Sequence, residues 1–202
     1  MIVHCATSNP GKLREFQLAA PDFEVRKLPV PLDAPEETAA TFEENAMLKA
    51  AYYGNHIGGY LFADDSGLEV DALHGAPGVH SARYAGEHAT DADNNALLVQ
   101  KLEGAVQRSA RFVCVIALVK DGQPVRTFRG SVEGIILDTA RGTGGFGYDP
   151  LFFHPPFGCT FGEAPIGEKM LVSHRAQALS AMFAYLRDSA ATSETQSASS
   201  RP

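Results

Sequence analysis

Four segments of the chain carry residues whose types and spacing could do chemistry. Thr7-Ser8-Asn9-Pro10-Gly11-Lys12 follows a short apolar run. Small residues ending in a lysine at a helix start can offer backbone amides and an ammonium to phosphate oxygens. The second glycine and the Lys-Ser/Thr pair of a P-loop are missing, so a plain strand-to-helix turn stays open as the alternative. The second segment is acidic: Glu36 and Glu37, then Asp64 and Asp65. Asp64-Asp65-Ser66-Gly67 is expected to close a short strand, Tyr60 to Ala63, where side chains project into a sheet-end crevice. Neighbouring strand residues face opposite sides, so the two aspartates converge only through a bend, which Gly67 permits. Carboxylates meeting a glutamate of the preceding loop would make a hard-oxygen site for Mg²⁺. The alternative is a solvated acidic turn.

The third segment, Gly142 to Asp149, holds four glycines in eight residues, enough for a backbone to approach a ligand closely. Phe146 and Tyr148 within it offer flat faces to a nucleobase. The fourth is Lys169 with Ser173-His174-Arg175. His174 and Arg175 stand at the amide-rich end of a helix, where the dipole disfavours cations, so an anionic or oxygen-rich occupant is expected. A plain surface charge is the alternative.

The elements that must position these segments are readable from pattern. Ile2 to Ala6 reads as a short buried strand and Leu13 to Ala20 as a helix. Thr41-Phe42-Glu43-Glu44 is a capping box opening a helix that runs to about His56. A further helix follows Thr90 and ends before Gly104. Arg111 to Lys120, Asp121-Gly122 and Val125 to Val132 predict a hairpin, because Asp-Gly supplies positive φ. Gly134 to Leu137 continues a strand. Ser173 caps a last helix with the stripe Leu179, Met182, Phe183 and Leu186. From Ser189 the chain lacks large apolar residues, and 189–202 reads as a disordered Ser/Ala-rich tail. Residues 1–188 read as one domain. Strands and helices mix without strict alternation, so the fold class is α/β with α+β character on a mixed sheet.

Composition narrows the function. The 202 residues carry 17 basic and 24 acidic side chains, a net charge of −7, and 45% hydrophobic residues. That is a globular chain with a real core. Its acidic balance argues against nonspecific nucleic-acid binding, which needs a basic face. The longest apolar run, Phe112 to Val119, suits a buried strand and not a membrane span. Met1-Ile2-Val3-His4 opens no signal peptide. Cys5, Cys114 and Cys159 are widely spaced and odd in number, and two of them sit in apolar runs and read as buried thiols of a reducing compartment, so a cytoplasmic location is expected. The histidines other than His174 lack ligand-like spacing.

Together the segments resemble the inosine triphosphate pyrophosphatase family, the Ham1-like noncanonical purine nucleoside triphosphatases. The matching stretches are Ala6 to Lys12, Glu36-Glu37-Thr38 with Thr41 to Ala46, and Ala63 to Leu68. Gly75 to Gly78, Ser81 to Tyr84, Gly142 to Phe153 and Ser173 to Arg175 follow in the same order. The resemblance implies hydrolysis of ITP, dITP and XTP to the monophosphate and pyrophosphate with Mg²⁺, cleansing the nucleotide pool. It implies two lobes on a long mixed sheet, a nucleotide in the central cleft, and a homodimer. Position by position, it makes Thr7, Ser8, Asn9, Pro10, Gly11 and Lys12 the triphosphate loop. Glu36 and Asp65 become metal ligands, with Asp65 also the catalytic proton acceptor. Ser66, Phe146, Gly147, Tyr148, Asp149, Lys169, His174 and Arg175 become substrate contacts, and Lys49 a further residue reaching phosphate. Ser8 stands where the family often has glycine, Ala176 replaces a glycine after His-Arg, and Phe161 to Val172 matches loosely. The rival readings are a Maf-like pyrophosphatase acting on other modified nucleotides and a nucleotide-binding regulator that does not hydrolyse.

Overall fold

The long hairpin is the spine of the molecule. In the computed structural model, which describes residues 1–20 and 22–199 and side chains through 191, β4 (Ser109–Lys120) and β5 (Gln123–Ile136) pair antiparallel along their length. Asp121 and Gly122 take φ of 50° and 77°, the left-handed pair that a tight hairpin turn needs. Seven strands form one mixed sheet in the order β2-β1-β3-β4-β5-β6-β7. β1 (Ile2–Cys5) lies parallel to β2 (Glu24–Lys27) and to β3 (Tyr60–Val70), and the pairings from β3 onward are antiparallel. β6 (Phe152–His154) and β7 (Cys159–Thr160) close the far edge.

Side-chain alternation sends the two faces to different helices. Phe62, Cys114, Ile116 and Leu118 pack under Phe16 of α1 (Pro10–Leu18) and Leu179, Met182, Phe183 and Leu186 of α5 (His174–Ser199). Leu61, Ala63, Val113, Val115, Ala117 and Val119 pack against Phe42, Ala46, Ala50 and Tyr53 of α2 (Phe42–Gly54). A separate core joins Leu98 and Leu102 near α3 (Asp91–Lys101) to Phe112, Val132, Tyr148, Phe152 and Phe161. These cores make the two lobes, and β3, β4 and β5 run through both. A short helix, α4 (Ile166–Val172), precedes α5.

Four expectations about the fold change. Asp64-Asp65-Ser66-Gly67 does not close β3; it sits mid-strand, paired with Ile116, Val115, Cys114 and Val113 of β4. Aspartate and glycine are poor strand formers, but β4 satisfies their backbone and cations on both faces meet their charges. Gly67 serves close approach and not a bend, since a Cβ there would strike the Gly78 carbonyl and the Ser81 hydroxyl. The capping box of α2 is half formed: Thr41 Oγ1 accepts from Glu44 N, while the Glu44 carboxylate takes the Thr41 hydroxyl and not its amide. A complete box opens α3 instead, between Thr90 and Asp93.

Helix α5 continues past Ser189, so residues 189–199, expected to lack structure, are helical backbone, and 200–202 lie outside the described residues. Alanine, glutamine and glutamate propagate a helix already nucleated by packing. Among the described residues no helix is long and apolar enough to cross a membrane.

Candidate active site

β1 stops at Cys5 beside Phe62, while β3 runs on for eight more residues. Beyond that point the β1 side of β3 is open, and the chain from Ala6 turns away into α1. This is the crevice beyond a strand's carboxyl end where open α/β sheets hold ligands. Asp64 faces α1 and α5 there; Asp65 faces α2.

On the first face three cations meet three carboxylates, all of them buried except the partly exposed Lys12. Lys12 Nζ lies 2.9 Å from Asp64 Oδ2. Arg175 donates from Nη1 to Glu15 Oε2 at 2.6 Å and from Nη2 to Ser66 Oγ at 2.8 Å, with Asp64 Oδ2 at 3.5 Å. Lys169 Nζ lies 2.8 Å from Glu15 Oε1 and 2.6 Å from Asp149 Oδ2, which also accepts from Phe146 N. Burial alone would raise Asp64, but Lys12, Arg175 and Lys49 hold it well below the usual carboxylate range. Glu15 is likewise lowered against its burial by Arg175 and Lys169. The cations placed at the amide-rich start of α5 are thus met by the chain's own carboxylates. His174 stacks on Phe112 at 4.9 Å between ring centroids. Burial, then Arg175 and Lys169, keep it neutral, well below its ordinary value.

The second face has one cation for two carboxylates. Lys49 Nζ stands 3.0 Å from Asp65 Oδ1 and 3.1 Å from Glu37 Oε1. Asp65 Oδ2 is buried and has no hydrogen-bond partner among the described residues. Burial, with the Glu37 charge, pushes the Asp65 carboxyl up to about 6 although Lys49 opposes it.

The cleft between the lobes is lined by Asn9, Lys12, Ser66, Phe146, Tyr148, Asp149, Lys169, His174 and Arg175, among others. Helix α1 enters it with an Asn9 cap whose Oδ1 accepts from Gly11 N and Lys12 N, while Asn9 N bonds Thr7 Oγ1. Those amides are occupied, so a phosphate there must displace the Asn9 carboxamide or rely on Lys12.

Comparison with known proteins identifies the family of the chain. A model of the Ham1 family matches residues 3–185. The dITP/XTP pyrophosphatase of an Exiguobacterium species is 52% identical over 178 residues, covering 86% of this chain and 91% of that protein. The dITP/XTP pyrophosphatase of Thermus thermophilus is 46% identical over 200 residues, covering 93% of each. The Staphylococcus aureus Ham1 protein superposes with a TM-score of 0.83 at 40% identity, over 94% of this chain and all of that one. A Mycobacterium abscessus nucleoside-triphosphatase / dITP/XTP pyrophosphatase gives 0.70 at 41% identity, over 90% of this chain and 98% of that one.

The chain belongs to the Ham1 family.

Within this Ham1 fold, most residues singled out by sequence do come together. Lys12, Ser66, Phe146, Gly147, Tyr148, Asp149, Lys169, His174 and Arg175 line one cleft with Asn9. Ser8 and Pro10 are exposed at its rim and Thr7 is half-buried. Two placements differ. Tyr148 is buried with its hydroxyl on the Ser81 carbonyl, so it is part of the wall, and Phe146 alone keeps a half-buried ring, under Lys169 and Arg175. Of the two loop glutamates, Glu37 reaches Asp65 through Lys49, whereas Glu36 is exposed. Sequence reasoning missed Glu15, whose signal was available: an acidic residue three positions after Lys12, between the apolar Leu13 and Phe16.

Proposed function

We infer that this chain hydrolyses dITP, ITP and XTP to the nucleoside monophosphate and pyrophosphate. Membership of the Ham1 family and the names of its relatives support the reaction class. The observation that carries the site is Asp65, a buried carboxylate with one unpartnered oxygen at the open end of β1.

Whether the residues suit Mg²⁺ is tested by the same atom. An orphaned buried carboxylate oxygen beside a second carboxylate is a hard-oxygen donor set short of a cation. Among the described residues no three acidic, His or Cys side chains form a ready-made cage. That suits Mg²⁺, which takes one or two carboxylates and completes its shell with substrate phosphates and water. Asp65 would hold it together with the loop glutamates, the exposed Glu36 and its neighbour Glu37. When bound, Mg²⁺ would neutralise phosphate charge and lower the pKa of a bound water.

The chain's own groups do the rest. Asp65 orients the attacking water and takes its proton as the oxygen bonds to the α-phosphorus. The bond from that phosphorus to the bridging oxygen breaks, and pyrophosphate leaves towards Lys12. Arg175 lines the cleft, its Nε buried and without a hydrogen-bond partner among the described residues. Such a donor suits a purine 6-keto oxygen and opposes the 6-amino group of adenine, which would place donor against donor. The family reading also carries a homodimer and a cytoplasmic nucleotide pool.

Asp65→Asn is expected to lower kcat for ITP by about 10²- to 10⁴-fold, the usual range for a lost general base, in a protein that still unfolds cooperatively. Full activity in that variant would remove Asp65 from the reaction. Pyrophosphate release from ITP, XTP, GTP, ATP and dTTP, with and without Mg²⁺, separates this reading from a Maf-like enzyme and from a binder.

A further inference from the structure

The acidic loop that carries Glu36 and Glu37 has little backbone structure of its own. Residues 29–40 make no backbone–backbone hydrogen bond among the described residues, and most of them are exposed. Such a segment samples many conformations unless side chains from elsewhere fix it. Three side chains do so. Asn45, fully buried near the start of α2, takes both backbone polar groups of Ala39: its Oδ1 accepts from Ala39 N at 3.0 Å and its Nδ2 donates to Ala39 O at 3.3 Å. Lys49, four residues on and on the same helix face, holds the Glu37 carboxylate. Arg83, the last residue of the 3-10 helix Gly78–Arg83, donates from Nη2 to Glu37 O at 3.2 Å.

Both anchors rest on firm parts of the fold. Helix α2 is capped by Thr41 and sends Phe42, Ala46 and Ala50 into the core. The 3-10 helix is seated on β3 by Ser81, whose Oγ accepts from Leu68 N at 2.8 Å and donates to Gly78 O at 2.6 Å. The backbone is therefore pinned on both sides of Thr38, by Arg83 at Glu37 and by Asn45 at Ala39. Neither side chain is itself suited to a metal, since Arg83 is a cation and Asn45 spends both its polar atoms on Ala39.

We propose that Asn45 and Arg83 are positioning residues for the divalent cation: by pinning the backbone on both sides of Thr38 they hold the loop glutamates at Asp65. This rests on the Mg²⁺ reading of those carboxylates. Ligands already ordered by outer partners bind a metal more tightly, and losing such a partner costs about 10- to 100-fold in affinity. A purely electrostatic role for Arg83 predicts the reverse, because removing a cation next to Glu37 would strengthen the binding of another cation. The sign of the effect separates the two roles.

The test uses the full chain with Asn45→Ala, Arg83→Ala, Arg83→Lys and Arg111→Ala. Mn²⁺ is titrated into the nucleotide-free protein and followed by the EPR signal of the free ion. The Mg²⁺ concentration for half-maximal ITP hydrolysis is measured beside it. Both constants are expected to rise about tenfold in Asn45→Ala and Arg83→Ala, with kcat at saturating Mg²⁺ within about twofold of wild type. Arg83→Lys keeps a charged donor and is expected to stay within about threefold of wild type. Arg111→Ala removes the same charge from a group whose partners are Glu69, Asp71 and Glu133, and leaves both constants unchanged. Constants that stay level or fall in Arg83→Ala overturn the proposal, as does an equal rise in Arg111→Ala. Arg83 is half-buried, so its variants decide the outcome even where the fully buried Asn45 cannot be replaced without unfolding. Hydrogen exchange reads the grip without metal or substrate. The Ala39 amide is expected to be protected in wild type and to exchange about tenfold faster in Asn45→Ala, and an unprotected wild-type amide overturns the proposal. A wild type and variants that show the expected Mn²⁺ series while hydrolysing none of the nucleotides contradict the pyrophosphatase reading and leave the grip standing. Hydrolysis of ITP with an equal Mg²⁺ requirement in wild type and Arg83→Ala overturns the grip and leaves that reading standing.

Discussion

Glu15 is the residue that two of the cleft's three cations, Lys169 and Arg175, share. It bridges Lys169 and Arg175 from the buried face of α1, and its removal would leave two buried cations short of a counter-charge. Breaking a buried pair from one side costs about 3–5 kcal/mol, so Glu15→Ala should lose stability on that scale in urea titration. A loss below about 1 kcal/mol would mean that water already screens the cluster. His174 gives a pH-dependent counterpart. The unfolded chain binds a proton on this histidine near its ordinary value of 6.5, while the folded chain keeps it neutral. Stability is therefore complete above that pH and is lost as the pH falls below it. Asp65, raised to about 6, acts in the opposite direction, because the folded state takes up its proton first as the pH falls. The fall in Tm between about pH 7.5 and 5.5 should accordingly be smaller in His174→Phe than in wild type. Equal falls would show that His174 does not contribute.

At the scale of elements, the strand β3 carries the site because it outlasts β1. Its Gly67 lets the short 3-10 helix Gly78–Arg83 lie directly on the strand. Gly67→Ala should destabilise by about 1–3 kcal/mol through overpacking, read by thermal unfolding. An unchanged Tm would show that the 3-10 segment can move aside. The hairpin and the start of α5 were legible because their signals are local: an Asp-Gly pair between apolar strands, and Ser173, whose Oγ accepts from Ala176 N. The continuation of β3 was not legible, since what tolerates Asp64 and Asp65 in mid-strand comes from Lys12, Lys49 and Arg175, remote in sequence. The resemblance pointed to Glu36, whereas Lys49, across the loop, lies against Glu37, and nothing local in the sequence marks that placement.

For the whole molecule, a net charge of −7 coexists with a cleft that gathers Lys12, Lys169 and Arg175. The acidic excess disfavours a polyanionic polymer and leaves a single triphosphate to local cations. The two faces differ in balance: the α1/α5 side is neutralised internally, and the α2 side keeps an unmatched carboxylate where a divalent cation would sit. Chelation of Mg²⁺ should therefore stop turnover while leaving Tm unchanged in the absence of nucleotide, because the internal ion pairs do not depend on the metal. In sedimentation, the homodimer proposed above would run at twice the 21.6 kDa chain mass. The central claim is tested most directly by product analysis of ITP hydrolysis with Mg²⁺. The account predicts IMP and pyrophosphate in equal amounts, ATP turned over far more slowly, and both activities lost in Asp65→Asn. Release of inorganic phosphate with IDP, or ATP cleaved as fast as ITP, would contradict it.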